Sequence, residues 1–273
     1  MKKLLFGFVL AVVTLVSCNV QERIIFDKNM GGTYESSFDL SGMMKIAGEG
    51  KPASADKKAE KMDTLFVFND LLEQYKDSIA TLSPEKQAEL EKMKGMKMRM
   101  VMDEEAGIFN MTVDKEFANF GEVAFVSYQM DEMMNMAKTE TGQQSPDGGM
   151  NDMLKTDKVE YTFKNNTFSR VDAKLARKNA VRDTDSGEVE DESAEAEDDM
   201  AAAMMKGMLG EFEDALRESK MVLEYSFPKK IKSVSHENAV ISEDGKTVRF
   251  EVDWKTLTDN KELLENFEVV LED

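Results

Sequence analysis

Two runs of alternating residues constrain the fold of this 273-residue chain most tightly. Methionine occupies every second position of the first run, which comprises Met96, Met98, Met100 and Met102. Apolar residues do the same in the second run, which comprises Phe109, Met111 and Val113. Successive side chains of a strand point to opposite faces, so each run predicts a strand with one apolar face. Pairing Met102 with Phe109 aligns the other partners as Met100–Met111, Met98–Val113 and Lys97–Asp114. A slip of one residue would turn every apolar side chain outward, so we predict one antiparallel hairpin in this register.

Other apolar runs bounded by turn residues predict further strands. Strands at 23–27 and 33–40 flank a turn at 29–32, and a hairpin over 158–172 turns at Asn165-Asn166. Asparagine tolerates the positive φ angles of a type I′ turn. A strand at 221–227 ends at Pro228. A third hairpin joins 232–241 to 247–254 around Asp244-Gly245, pairing Ile241 with Val248 and keeping Trp254 in the strand. A closing strand follows at 267–271.

Helical spacing of apolar residues predicts several amphipathic helices. The predicted helices cover residues 59–80, 84–94, 117–138, 200–216 and 258–266. Ser83-Pro84 is a typical helix start and Gly95 a typical stop. A strand at 123–130 is the alternative within the third of these segments. Together the elements predict an α+β fold, a mainly antiparallel sheet of hairpins with the amphipathic helices packed on one face. We expect the core methionines to point under the helix at 59–80.

The amino-terminal segment has the pattern of a bacterial lipoprotein signal. Met1-Lys2-Lys3 is basic, residues 4–16 are apolar, and Leu15-Val16-Ser17-Cys18 ends this run on the single cysteine of the chain. This lipobox pattern predicts attachment of a diacylglycerol to the thiol and cleavage just before the cysteine. An ordinary signal peptide and a transmembrane anchor are the alternatives, but spanning a bilayer takes about 20 apolar residues. We therefore predict a signal peptide at 1–17 and a lipid anchor on Cys18, with acyl chains such as palmitate.

The rest of the chain is predicted as a tether at 18–22 and a single domain at 23–273. A disordered acidic loop at 183–199 interrupts this domain, because its ten acidic residues repel one another and no basic residue offsets them. The segment 183–187 resembles the opening of a calcium-binding loop. Gly187 occupies the third ligand position, however, and no bidentate glutamate follows at the required distance, which favours a solvated loop.

Charge and composition exclude several classes of function. The formal charge is −19, and it becomes −21 when Lys2 and Lys3 leave with the signal peptide. Such a surface repels phosphate backbones, so we expect no nucleic-acid partner. His236 is the only histidine, which makes histidine-based catalysis or zinc binding hard to build. We predict no catalytic residue, no metal site and no cofactor. A dyad of His236 and Glu237 is the enzymatic alternative, although we expect His236 to face solvent.

The 22 methionines admit three interpretations. The Met-x-Met run offers thioethers that suit Cu(I), although copper proteins usually combine methionine with histidine or cysteine. Because the run shares a face with Phe109 and Val113, we favour methionine as filler of an irregular core. A flexible apolar groove that accepts lipid or unfolded segments is the third interpretation.

Two resemblances extend this interpretation. Cys18-Asn19-Val20 and Gly32-Thr33-Tyr34 resemble the start of uncharacterised lipoproteins of the Bacteroidota, and the segment 223–254 is similar to LppM-type lipoprotein domains. Surface-exported lipoproteins of that phylum carry an acidic run after the cysteine, which this chain lacks, so the resemblance implies an outer-membrane anchor facing the periplasm. We expect an envelope lipoprotein with a non-catalytic binding role, for an apolar ligand or an envelope protein. The alternatives are a structural or assembly factor without a ligand, and an enzyme of unknown class.

Overall fold

The computed structural model describes residues 19–42, 61–130, 158–175 and 219–273. The strands in these ranges are β1 Asn19–Phe26, β2 Gly32–Asp39, β3 Lys61–Val67, β4 Met96–Asp103, β5 Ile108–Phe117, β6 Val159–Lys164, β7 Thr167–Asp172, β8 Lys220–Ser226, β9 Ile231–Val234, β10 Val240–Ile241, β11 Thr247–Asp253 and β12 Asn266–Leu271. The helices are α1 Phe68–Gln74, α2 Lys76–Ile79, α3 Pro84–Lys92, α4 Phe120–Val123, α5 Trp254–Asp259 and a 3-10 helix at Lys261–Leu264. Residues 126–130 are also helical. The predicted α+β class is confirmed.

The strands form two sheets. The large sheet has the order β10-β11-β8-β1-β2-β5-β4-β3, and the small sheet has the order β6-β7-β12-β9. Neighbours are antiparallel except for β1 and β8, which are parallel. The carboxyl-terminal part of the chain alternates between the sheets, because β8, β10 and β11 join the large one whereas β9 and β12 join the small one. β1 is therefore an internal strand between elements that are far apart in sequence.

Aromatic rings fill the space between the two sheets. Phe168 of β7 lies 4.9 Å from Tyr225 of β8 and 5.5 Å from Phe26 of β1, measured between ring centroids. Tyr225 also contacts Phe267 of β12 at 5.7 Å. Rings at these separations bury large apolar areas and gain edge-to-face attraction. The small sheet thus covers the inner face of β1 and β8.

The methionine hairpin forms as predicted. β4 and β5 pair in the expected register, with Met102 opposite Phe109 and Lys97 opposite Asp114. Met98, Met111 and Val113 are buried, whereas Met100 and Met102 are half-buried nearer the end of the hairpin. The shared apolar face therefore lies in the core.

The helix predicted at 59–80 is wrong over the residues of β3. Lys61–Val67 is an edge strand that pairs with β4, placing Phe66 beside Met98 and Met62 beside Met102. Helical spacing counted Leu65 as a core residue, but 58% of Leu65 is exposed. Alternation of the half-buried residues Met62, Thr64 and Phe66 describes the segment better. The methionines therefore pack beside a strand, and the helical part is confined to α1 and α2.

The tether predicted at 18–22 is wrong from Asn19 onward, because β1 begins at that residue. Glu22 has the same strand phase as Ile24 and Phe26, and all three are buried. Because Glu22 is charged, the apolar alternation predicted the strand only from residue 23, and its first four residues were missed.

The third predicted hairpin is correct at its turn and wrong in its arms. Ile241 pairs with Val248 as expected, but β10 has only two residues, and 231–234 crosses to the small sheet as β9. Trp254 begins α5 instead of extending the strand, because the Asp253 carboxylate accepts the Thr256 N–H at 2.8 Å and caps the helix. The helix predicted at 258–266 corresponds to the end of α5 and the 3-10 helix.

Several local predictions are confirmed. The Ser83 hydroxyl caps α3 by accepting the Lys86 N–H, and Gly95 has a φ of 82° just after that helix. Asn165 and Asn166 have φ angles of 52° and 60° in the turn between β6 and β7. The helical interpretation of 117–138 holds for 120–123 and 126–130, whereas Phe117 still belongs to β5. The predicted signal peptide, the predicted lipidation residue Cys18, the predicted acidic loop at 183–199 and the helix predicted at 200–216 lie outside the described residues.

Candidate functional site

An open cleft of about 450 Å³ lies where the two sheets meet near β9. It is lined by Ser235, His236, Glu237, Asn238, Phe250, Asn260, Glu262 and Leu263. The His236 ring packs between Phe250 and Phe267, with both ring centroids 4.9 Å from its own. The expectation that His236 faces solvent is therefore wrong, because the chain after β9 folds its ring back onto the core.

Both nitrogens of the His236 ring have partners. Nε2 lies 2.6 Å from the carbonyl oxygen of Leu263, which can only accept, so Nε2 carries a hydrogen. Nδ1 lies 2.8 Å from the Ser235 hydroxyl, whose oxygen also accepts the Glu268 N–H at 2.9 Å. In the neutral ring, Ser235 donates to Nδ1. The imidazole thus connects β9, β12 and the 3-10 helix, and neither nitrogen points at a substrate position.

The exposed edge of the large sheet lies close to the cleft along the chain. β10 begins two residues after Asn238 and is the terminal strand of that sheet among the described residues, with 68% of Val240 and 39% of Ile241 exposed. We call the cleft together with these two residues the β10 edge site. It combines exposed apolar side chains with two carboxylates, Glu237 and Glu262, of the cleft wall. A strand edge of this kind can pair with an extended segment of another chain.

A second polar group of residues is buried between the sheets. Glu22 of β1 and Arg170 of β7 are 5% and 6% exposed, and the guanidinium Nε lies 3.3 Å from both carboxylate oxygens. The Tyr225 hydroxyl donates to Glu22 at 2.5 Å, and Arg170 also donates to the Leu264 carbonyl oxygen at 3.2 Å. A buried pair of charges needs such additional hydrogen bonds to offset the loss of hydration. This cluster therefore links the two sheets.

Tyrosines around Glu22 remain protonated. Burial, followed by the negative charge of Glu22, raises the pKa of Tyr34, Tyr161 and Tyr225 above the ordinary value. Burial alone would lower the pKa of Arg170, but the charge of Glu22 holds that pKa above its usual range. These three tyrosines and Arg170 keep one protonation state across the physiological range, as is expected of residues that connect the two sheets structurally.

Lys115 is a buried cation on the inner face of β5. It is 1% exposed, and its ammonium donates to the carbonyl oxygen of Lys92 at 2.5 Å and to the Gln129 amide oxygen. Burial lowers the pKa of Lys115 to about 8, although the charge of Glu122 acts in the opposite direction. Both acceptors belong to the helical segments that cover β5. Lys115 therefore attaches 126–130 and the end of α3 to the sheet.

These buried polar residues were not among those predicted from the sequence, although strand phase identifies them. Glu22 is two residues before Ile24, Arg170 two after Phe168, and Lys115 two after Val113, and each of these apolar neighbours is buried. Extending each apolar alternation by two positions places the charged residue on the inner face. Hydrophobicity alone could not find them.

The structure brings few of the candidate functional residues of the sequence together. Cys18 lies outside the described residues, so its predicted lipidation stays a prediction. Met98 of the methionine run and Met111 of the paired strand β5 are buried in the core. Among the residues that the structure describes, no group of three or more histidine, cysteine, aspartate or glutamate side chains could hold a metal ion. No helix within the same ranges is long and apolar enough to cross a membrane.

Comparisons with known proteins leave the family open. No protein-family model matches the chain, and no curated protein matches it. Among solved structures, the chain is similar to the NMR structure of the folded domain of the Mycobacterium tuberculosis protein LppM. The two are 9% identical, and the match covers 93% of this chain and 91% of that one with a TM-score of 0.35.

Proposed function

We propose that this protein is a lipid-anchored lipoprotein of the cell envelope, whose domain binds a protein partner without catalysing a reaction. The observation that carries the binding role is the β10 edge site, where Val240 and Ile241 are exposed on a terminal strand beside a cleft with two carboxylates. Partner binding by strand addition uses the free backbone groups of such an edge, and adjacent side chains provide selectivity. The acidic cleft wall suits a partner segment with a basic side chain.

The anchor is Cys18, and its support is the lipobox at Leu15-Val16-Ser17-Cys18 after a basic start and an apolar run. Two or more acyl chains hold a protein on a membrane stably. We place the anchor in the outer membrane with the domain facing the periplasm, because Asn19-Val20-Gln21-Glu22 contains a single acid.

A binding role is supported over catalysis by the state of the ionisable groups. His236 uses both ring nitrogens within the protein, and Lys115 and Glu22 are buried with protein partners of their own. Enzymes usually expose groups with shifted pKa values to a cleft. The shifted pKa values of Lys115 and the tyrosines instead belong to core residues.

A protein partner is favoured over an apolar ligand. Rings of Phe26, Phe168 and Phe227 lie in mutual contact between the sheets, where a lipid cavity would have to open. The cleft at β9 is lined mostly by polar side chains, and small-molecule pockets are mostly apolar. A structural or assembly factor without a ligand is the remaining alternative, and photo-crosslinking distinguishes it from a protein that binds a partner.

The lipid anchor is tested by Cys18→Ala in the full-length protein. We expect this variant to remain as uncleaved precursor and to lose labelling by radioactive palmitate, because the thiol that accepts the lipid is absent. Ser17→Ala is the matched control, since it keeps a small residue before the cleavage site and should be labelled normally. Cleavage and membrane retention of the Cys18→Ala protein would contradict the anchor.

The binding role is tested by photo-crosslinking in living cells. A benzoylphenylalanine placed at Val240 should give one defined protein adduct. The same probe at Leu65, which is 58% exposed on β3 at the opposite edge of the large sheet, is the control and should give none. An adduct at Leu65 alone would refute the β10 edge site. Absence of adducts at both positions would favour the structural factor without a partner.

A further inference from the structure

The folded sheet begins directly after the predicted anchor residue. β1 starts at Asn19, which pairs with Lys220 of β8, so a single peptide bond connects Cys18 to a residue of the sheet. A flexible Gly/Ser tether of 20 residues would give a root-mean-square reach of about 25 Å. This chain has no tether between the anchor position and the sheet.

The strand ends near Asn19 form one rim of the large sheet. Neighbouring strands lie about 4.8 Å apart. Lys220 is one strand away from Asn19, and Asp253, the last residue of β11, pairs with Lys220 two strands away. Trp254 follows Asp253, and its backbone N–H donates to the Ser219 carbonyl oxygen at 2.9 Å. On the other side, Leu40 at the end of β2 donates its N–H to the Phe109 carbonyl oxygen of β5. These positions lie within about 15 Å of the anchor residue.

We propose that this rim, formed by Asn19, Leu40, Ile108, Lys220 and Trp254, rests against the phospholipid headgroups of the membrane that holds the anchor. The inference rests on the proposed lipidation of Cys18. An acylated residue sits at the boundary between headgroups and acyl chains, and the headgroup region is only about 6 Å thick on each side of the bilayer. With one peptide unit between anchor and sheet, Asn19 cannot leave that region, and the rim positions beside it are held close to it.

The side chains of the rim fit this surface. Trp254 is the only tryptophan of the chain and is half-buried, and 38% of Ile108 is exposed. Tryptophan is the residue typical of the membrane–water interface, because its ring is apolar and its N–H is polar. The rim offers no excess of positive charge, since Lys220 pairs with Glu251 at 2.6 Å and Asp39 and Asp253 lie beside it. The covalent anchor, and not attraction to anionic lipid, sets the orientation.

This orientation leaves the β10 edge site free. Val240 and Ile241 are aligned across β11 and β8 with Arg23 and Ile24 of β1, four and five residues beyond Asn19. At about 3.3 Å per residue, the edge stands about 15 Å above the rim. The turn at 27–31 lies at the far end of β1 and is the part of that hairpin farthest from the membrane. A partner could therefore reach β10 from the aqueous side.

The test uses the lipidated full-length protein in phosphatidylcholine vesicles that contain phosphatidylcholine with a doxyl group near the headgroup. We expect the doxyl lipid to quench Trp254 fluorescence. Two variants serve as controls. Inserting 20 Gly/Ser residues between Cys18 and Asn19 should abolish the quenching while the protein still floats with the vesicles. Lys28→Trp combined with Trp254→Phe moves the probe to the exposed far turn and should give unquenched fluorescence.

The outcomes separate the orientation from the anchor. A protein that floats with the vesicles but has unquenched Trp254 overturns the orientation alone. Equal quenching at position 28, or quenching that survives the inserted linker, also overturns it. A wild-type protein that carries no acyl chain and does not float overturns the proposed anchor, and the orientation with it.

Discussion

Lys115 makes the stability of this protein depend on pH in an unusual direction. Its folded-state pKa is about 8 because the ammonium is buried, whereas an exposed lysine has a value of 10.5. Between these two pH values the unfolded chain keeps the proton and the folded protein has released it. The free energy of unfolding therefore rises with pH in this window, by about 1.4 kcal/mol for each pH unit.

We expect the contribution of Lys115 to stability to increase by about 2 kcal/mol from pH 8 to pH 10. Above about pH 10 tyrosines ionise in the unfolded chain. The buried Tyr34, Tyr161 and Tyr225 keep their protons in the folded protein because their pKa values are raised, so the free energy of unfolding then falls as the pH rises. The effect of Lys115 is therefore best measured below that pH. Below pH 8 both states carry a charged Lys115, and its contribution is constant at its least favourable value.

The assay is urea unfolding of wild type and Lys115→Met at pH 7, 8, 9 and 10, followed by Trp254 fluorescence. Methionine retains most of the side-chain volume and removes the charge, so the difference between the two proteins isolates Lys115 from every other titrating group. Lys232→Met, at an exposed position of β9, is the matched control and should differ from wild type equally at all four pH values. A constant difference between wild type and Lys115→Met would refute the reasoning.

Two further predictions concern the core. Met98 is 2% exposed, so Met98→Ala should lower the free energy of unfolding by about 2–5 kcal/mol and Met98→Leu by less than about 1.5 kcal/mol; Cu(I) binding by wild type that disappears in Met98→Leu would instead restore the metal interpretation. Arg170→Met should cost about 3–5 kcal/mol, because it leaves Glu22 buried without its cation. Combining it with Glu22→Leu should recover part of that loss in denaturant titrations, and strictly additive losses would contradict the pairing.

Local structure was predictable where the sequence repeats one period and marks its turns. The β4–β5 register followed from alternating apolar residues and the β6–β7 turn from two asparagines. The segment 61–67 was misassigned because apolar residues at 62, 65 and 66 satisfy a helical spacing as well as an edge strand. Only pairing with β4 decides between the two, and that pairing joins residues at least 30 positions apart.

The buried polar residues could not be predicted for a different reason. A buried charge is acceptable only when partners surround it, and the partners of Glu22 come from β7 and β8, 148 and 203 positions away. A sequence without pairing information cannot show that these residues meet. The same holds for His236, whose ring Nε2 binds the carbonyl oxygen of Leu263, 27 positions away. The β10 edge site depends on which strand ends the sheet, which is a property of the complete topology.

The internal position of β1 sets the order of folding and of the proposed amino-terminal processing. One neighbour of this strand, β2, is translated a few residues later, but the other, β8, follows about 200 residues later. The large sheet therefore cannot close until almost the whole chain is available, and pairings this distant in sequence form slowly. That interval gives the enzymes required by the proposed lipidation and cleavage access to position 18. Once Asn19 has paired with Lys220, the proposed cleavage site adjoins a folded sheet, so the proposed maturation of the amino terminus has to come before folding.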